Sequence, residues 1–321
     1  MASQAINGLM GACLTPFDED GRVDYAALQH EIDFIVSDAD AISIGAVEAA
    51  EYTMLSPDER KQLLRVGTEM VDGRIPVILG ASSPTLHGVA ELANHAADVG
   101  ADLIQVLMPL RPWGGQPKAA ELIDYFAGVA YASPLPIVAY HNPGPGADPP
   151  IDTFVELSEM DEVQYFKESS RNITKIVRLV EEIDLAGKAS YFTTMQPLLT
   201  TLIMGGSGAT MPPPGTCIGA EVVRAVRAGN LDRARQWQRF FSLFPATWGS
   251  YGLAPIMKSA MKHFGVDLGD PAPPYRPVTT KDHDQIGNFF RQIGLLDGTE
   301  VQEDALDKVV AEFRRVQKRS S

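Results

Sequence analysis

The chain has 321 residues, 45% of them hydrophobic and 21% charged, which is enough apolar material for one large core or a core with an extension. Its 41 acidic and 27 basic residues leave a formal charge of -14, and this argues against a nucleic-acid partner, whose phosphates require a positive footprint. No apolar run approaches the roughly 18 residues of a membrane span, so no membrane partner is expected.

The opening stretch "MASQAINGLMGACLTPF" has no basic segment leading into a long apolar one, so no secretory signal is expected. The only cysteines are Cys13 and Cys217, far apart in sequence. That usage predicts no disulfide framework and a reducing, cytoplasmic setting, with Cys13 a small core residue. Strand-like runs follow at 9–15, 41–45, 75–80, 102–108, 136–140, 163–167, 189–193 and 208–211, the last two weak. Segments of helical period lie between them, several opening on Ser-Pro or closing on Gly. "LSPDERKQLL" places a proline at the first helical position and acids in the first turn. This alternation predicts an α/β chain with a (β/α)8 TIM barrel over 1–229. An open doubly wound sheet would usually carry a Gly-rich dinucleotide turn, and no GxGxxG follows a strand. After Gly229 the pattern changes to consecutive helices, interrupted by "GDPAPPYRPVT" at 269–279, so 230–321 reads as a C-terminal helical domain.

In such a barrel, catalytic groups come from the C-terminal strand ends and the loops after them. Three places qualify. Lys167 closes the sixth run, and strand alternation puts Val163, Tyr165 and Lys167 on one face. Facing inward, its ammonium would be costly, its pKa would fall, and a neutral amine could attack a ketone. Facing outward, it would be a rim lysine paired with Glu168. Tyr140 closes the preceding run in "YHNPGPG" and is either a proton relay beside Lys167 or a core tyrosine, while His141 has the opposite parity and should face the helices. The third place, "GAVEAAEYTMLS" at 45–56, carries Glu48 and Glu51 ahead of a helix. There is no HExxH, and the six histidines show no ligand spacing, so neither a metal nor another cofactor is expected. GxSxG and GxxxxGK[ST] are also absent, and the glycines of "GGSGATMPPPG" (205–215) precede the eighth run, on the inactive barrel face.

"LTPFDEDGRVDYAAL", "LSPDERKQLL", "GRIPVILGASS", "YHNPGPG" and "YFKESS" together resemble the dihydrodipicolinate synthase/N-acetylneuraminate lyase superfamily of lysine-imine lyases. The resemblance covers most of the chain. It implies a TIM barrel with a helical extension, a homo-oligomer (tetramer or dimer), Lys167 as the Schiff-base lysine and Tyr140 as the proton relay. The chain also departs from the family pattern. Where the superfamily's second loop reads G-T-T-G-E, this chain has Val47, Glu48, Ala49, Ala50 and Glu51, so the threonines that help hold a 2-oxo acid carboxylate are replaced. Glu48 is expected to turn away from that carboxylate, with acid/base use the second reading. Pro145 stands where the lysine-pathway condensing enzymes resemble an arginine, and "MPLRPWGGQ" carries Arg111 and Trp113 where a tyrosine would be. Arg111 would then bind a substrate carboxylate or hydroxyl, or form a structural salt bridge at an interface.

The resulting expectation is an aldolase or dehydratase acting on a 2-oxo acid such as pyruvate or on a related small carbonyl compound. Lys167 and Tyr140 would be catalytic, with Glu48, Ala49, Arg111, Trp113 and Thr210 around the substrate. Lysine-pathway condensation is disfavoured. A barrel that has lost catalysis and serves as a ligand-binding or regulatory protein is the alternative.

Overall fold

The computed structural model describes residues 6–298, 305 and 307–311. Eight parallel strands close into a barrel in sequence order: β1 (Gly8–Ala12), β2 (Ala41–Ile44), β3 (Val77–Gly80), β4 (Leu103–Leu107), β5 (Ile137–His141), β6 (Val163–Glu168), β7 (Ser190–Thr193) and β8 (Gly208–Met211). Each strand is followed by one of the helices α1 (Tyr25–Val36), α2 (Pro57–Val71), α3 (Leu86–Asp98), α4 (Ala119–Ala132), α5 (Ile151–Leu157), α6 (Ile173–Leu179), α7 (Leu198–Ile203) and α8 (Gly215–Arg227). The helices α9 (Leu231–Phe240), α10 (Leu253–His263) and α11 (Thr280–Gln292) come after the barrel. The expected last helix, "EDALDKVVAEFRRVQK", lies partly outside the described residues, of which Ala305 and 307–311 are helical. Among the described residues no helix is long and apolar enough to cross a membrane.

Local chemistry accounts for the element starts. Ser56 caps α2, its hydroxyl accepting from the Glu59 N–H while the Glu59 carboxylate accepts from the Ser56 N–H, with Pro57 at the first helical position. Asp24, Thr85 and Thr279 cap α1, α3 and α11 more simply, each side chain accepting from one or two backbone N–H groups of the first turn. Inside the barrel, Ile6, Met10, Ala41, Ile78, Leu103, Val138, Tyr165 and Phe192 form a closed apolar layer. The larger core lies between strands and helices and runs into the extension, where Phe240, Phe244, Phe289 and Phe290 pack against one another.

Two features position the mouth of the barrel. Between β5 and β6 the register slips after Ile137–Val163, so that Val138 pairs with Tyr165. The extra residue puts Val163 in the outer core while Tyr165 and Lys167 point inward, which corrects the expectation that all three share one face. Beyond the slip, Tyr140 pairs with Lys167 and His141 with Glu168. Gly80 ends β3 where a Cβ would lie 1.9 Å from the Gly45 carbonyl oxygen, so only glycine lets the loop after β2 sit this close to its neighbour.

That loop is tied to the extension by Glu51. Glu51 has φ +52°, uncommon for a residue with a side chain, and its carboxylate pairs with Lys258 of α10 at 2.7 Å and accepts the Ala272 N–H at 2.8 Å. The Lys258 ammonium also donates to the Asp270 carbonyl at 3.0 Å and lies 4.4 Å from the centre of the Phe17 ring. Both side chains are buried, so removing one partner strands a charge, at a cost of about 3–5 kcal/mol. Lys258→Met should therefore lower the free energy of unfolding by about that amount, and Glu51→Gln added to it should recover most of the loss. Denaturant melts of both variants check this, and a Lys258→Met protein as stable as the wild type would refute the strap.

Candidate active site

The mouth at the C-terminal ends of the strands gathers the chemistry. Lys167 points into it with 6% of its surface exposed, and its Nζ lies 3.8 Å from the centre of the Tyr140 ring. Burial pulls the Lys167 pKa down from 10.5 to about 7; the charges of Glu48 and Glu168 oppose that shift and Arg171 adds to it. At pH 7 roughly half of such an amine is neutral, against about one in a few thousand for an exposed lysine.

Tyr140 is fully buried, and its hydroxyl donates to Glu48 Oε2. Asn142 Nδ2 donates to the same Glu48 oxygen at 2.7 Å and to the Tyr140 oxygen at 3.0 Å. Burial raises the Tyr140 pKa well above the ordinary phenol value, and the Glu48 charge and hydrogen bond raise it further. A free phenolate is thus disfavoured here, and Tyr140 can accept a proton only as it passes its own to Glu48. The second carboxylate oxygen, Glu48 Oε1, is buried without a hydrogen-bond partner.

The expectation that Glu48 turns away is therefore overturned. It stands in the 3-10 turn Glu48–Ala50, which opens on the extended residue Val47 and aims the carboxylate at two donors, the Tyr140 hydroxyl and the Asn142 amide. The two donors offset the repulsion that a substrate carboxylate would otherwise exert on Glu48. Asn142 itself was missed, although it lies two residues beyond Tyr140 in a strand-like register and so shares its face. Tyr52, also missed, packs beside Arg60, whose guanidinium is 4.8 Å from its ring centre, and the Glu48 charge helps push its phenol pKa upward after burial.

The other expected site residues are scattered. Ala49 is buried within the Glu48–Ala50 turn, whose hydrogen bonds run from Ala50 N–H to Val47 and from Glu51 N–H to Glu48. Thr210 points into the barrel, and its hydroxyl donates to Met10 Sδ at 3.6 Å. Arg111 lines a cleft of about 560 Å³ with Tyr52, Arg60, Leu107 and Pro145. Its guanidinium is engaged by Glu121 in the first turn of α4, with Nη2 2.8 Å from Oε2, an ion pair within the chain. Trp113 stands in solvent, 82% exposed, beside Gly114 and Gly115. His141 faces the helices, as its parity predicts, and bonds Glu168 and Asp148. Cys13 is buried, and Cys13 and Cys217 are both free thiols. Among the described residues no group of three or more His, Cys, Asp or Glu is arranged to hold a metal ion.

The family model described as "Dihydrodipicolinate synthetase family" matches residues 5–293. The 4-hydroxy-tetrahydrodipicolinate synthase of Brachyspira hyodysenteriae is 26% identical over 289 residues, which span 88% of this chain and 96% of that one. Among solved structures, dihydrodipicolinate synthase from Aquifex aeolicus superposes with a TM-score of 0.81 at 26% identity, covering 90% of this chain and 99% of that one. YagE, a prophage protein of E. coli crystallised with pyruvate, gives a TM-score of 0.83 at 23% identity, with 90% of this chain and 99% of that one covered.

Because the Glu48 charge favours the ammonium form, removing it should lower the Lys167 pKa further. Labelling of Lys167 by a dilute acylating reagent, followed across pH by peptide mass mapping, should show a midpoint near 7 in the wild type. In Glu48→Gln the midpoint should move to lower pH. A wild-type midpoint near 10 would mean that the amine is solvated.

Proposed function

The chain belongs to the dihydrodipicolinate synthetase family, whose members in this superfamily are lysine-imine lyases, and from that membership we propose that it is an aldolase or dehydratase acting on a 2-oxo acid. The observation that carries the reading is the buried Lys167 amine, brought down to about 7 and held 3.8 Å from the Tyr140 ring centre. The neutral amine adds to the C2 carbonyl, and loss of water leaves a protonated imine on Lys167. That imine draws electrons from the bond being broken at C3, either C3–C4 in aldol cleavage or a C3–H bond ahead of elimination. After C3–C4 cleavage the enamine takes a proton at C3; after loss of the C3 proton it instead expels the C4 hydroxyl, which leaves as water on taking up a proton. In either case water then hydrolyses the imine, releasing the product and freeing the amine.

Tyr140 and Glu48 form the proposed proton path. As a C4 hydroxyl gives its proton to the Tyr140 oxygen, Tyr140 gives its own to Glu48, which avoids the disfavoured phenolate. Glu48 Oε1, buried and without a donor, is a second acceptor for a substrate hydroxyl. Both features favour carbon–carbon cleavage of a 4-hydroxy-2-oxo acid. The substrate carboxylate is assigned to the N–H groups of Glu48 and Ala49, which precede the first hydrogen bond of their turn. Pro145 offers no cation for a second carboxylate, and Glu48 and Ala49 supply no threonine hydroxyls. On these grounds the lysine-pathway condensation is not the proposed reaction. Assembly into a dimer or tetramer and action in the cytoplasm belong to the same reading.

Borohydride reduction in the presence of pyruvate and a panel of 4-hydroxy-2-oxo acids, with peptide mapping, should yield an adduct on Lys167. No adduct with any of them would leave a binding protein as the better reading. Tyr140→Phe should still be trapped but turn over about 10²–10⁴-fold more slowly. Full turnover in that variant would remove Tyr140 from the proton path.

A further inference from the structure

Behind the catalytic pair, on the outer face of the same two strands, lies a second cross-strand pair. His141 follows Tyr140 and Glu168 follows Lys167, and the two are direct partners across β5 and β6. Both are fully buried. His141 Nδ1 is 2.9 Å from Glu168 Oε1, and Nε2 is 3.0 Å from Asp148 Oδ1. Carboxylate oxygens only accept, so satisfying both bonds takes a proton on each ring nitrogen. The ring packs edge-on to Phe154, with centroids 5.1 Å apart.

The network extends to each element around it. Tyr191 of β7 donates to Glu168 Oε2 at 3.0 Å, and the Ser170 N–H donates to Glu168 Oε1 at 2.6 Å. Lys175 of α6 donates to Asp148 at 2.7 Å and so anchors the far side of the imidazole. A buried carboxylate with three donors, one of them on a ring held between two acids, is held ionised, and the Glu168 pKa is accordingly lowered despite burial. The groups that act on the Lys167 amine are Glu48 from the loop after β2, the Tyr140 ring, Glu168, and Arg171 from the loop after β6.

We propose that His141 and Glu168 are a positioning pair: they lock β5 to β6 at the register that sets Tyr140 against Lys167, and they hold a carboxylate charge beside the reacting amine. The proposal rests on the reading of Lys167 as the imine-forming group. Strand alternation makes the pair effective, because each residue of the outer pair is one step from its catalytic neighbour. The arrangement also divides the labour. Burial at the inner face pulls the amine's pKa down, and the outer face adds a charge that, with Glu48, limits how far it falls.

The test uses the full chain and two readouts, pH-dependent acylation of Lys167 and borohydride trapping with pyruvate. Glu168→Gln keeps the shape and removes the charge, so the labelling midpoint should fall, with about tenfold more neutral amine on the acid limb. Glu168→Asp keeps the charge and shortens the reach to His141, so its midpoint should stay at the wild-type value while trapping slows. His141→Asn should change the size of the Glu168→Gln midpoint shift when the two are combined. Identical midpoints in Glu168→Gln and wild type, or equal Glu168→Gln shifts with and without His141, would overturn the proposal and leave a packing role that alters only melting. Should His141→Asn not fold, the Gln and Asp variants of Glu168 still decide. The labelling arm needs no imine, so an absence of trapping in the wild type counts against the proposed reaction, whereas unmoved labelling midpoints count against this pair.

Discussion

The proposed chemistry of this barrel depends on one placement, an amine held out of water against the face of a phenol. Burial alone would lower the Lys167 pKa without limit on selectivity, and the ring face of Tyr140 pulls the other way, since it attracts the charged ammonium by up to about 2 kcal/mol when desolvated. Glu48 and Glu168 pull in the same direction as the ring. Desolvation wins, but only far enough to bring the amine near neutrality. An amine in that range is available both as a nucleophile and, once condensed, as a cationic imine. A fully apolar pocket would supply the nucleophile and then destabilise the imine cation that follows it.

Glu48 shows how one side chain can set the proton chemistry available to its neighbours. In a site proposed to receive a 2-oxo acid, a carboxylate is a liability unless its charge is engaged. Here one oxygen is engaged twice, by the Tyr140 hydroxyl and the Asn142 amide, while the other has no donor at all. Two hydrogen bonds to a charged acceptor contribute about 1.5–3 kcal/mol each, enough to hold the side chain against repulsion screened by the protein. The cost falls on Tyr140, whose phenolate becomes less accessible. The result is a hydrogen-bonded pair in which, in the proposed path, proton transfer through the phenol and protonation of the carboxyl belong to one event.

Much of this was legible in the sequence because strand alternation is a rigid rule. Parity set His141 on the face opposite Tyr140, the spacing of apolar runs put eight strands in a ring, and the family resemblance, not parity, chose the inward position for Lys167. The rule failed where its premise failed, at the register slip beside Val163, which no residue type in "EVQYF" announces. It was underused at Asn142, which the same period assigns to the site. Loop side chains were harder to place for a different reason. Arg111 and Trp113 sit on a segment whose path depends on glycines at positive φ and on an ion pair to Glu121, contacts that sequence spacing does not encode. The orientation of Glu48 depended on donors from another strand, 92 and 94 residues away.

The C-terminal helices bear on the same site through Glu51. This residue sits in the left-handed region three positions after Glu48, a conformation costing of order 1 kcal/mol or more for a side chain of its size. The Lys258 ammonium and the Ala272 N–H hold Glu51 in place from outside the barrel, and Glu51 N–H closes the turn back onto the Glu48 carbonyl. A buried ion pair is weak evidence for stability, because a hydrophobic pair of equal volume would serve as well or better. What a hydrophobic pair would not do is specify a single direction for the turn. The physical role of the extension at this point is therefore one of aim: it converts a strained loop into a fixed mount for the carboxylate that meets Tyr140.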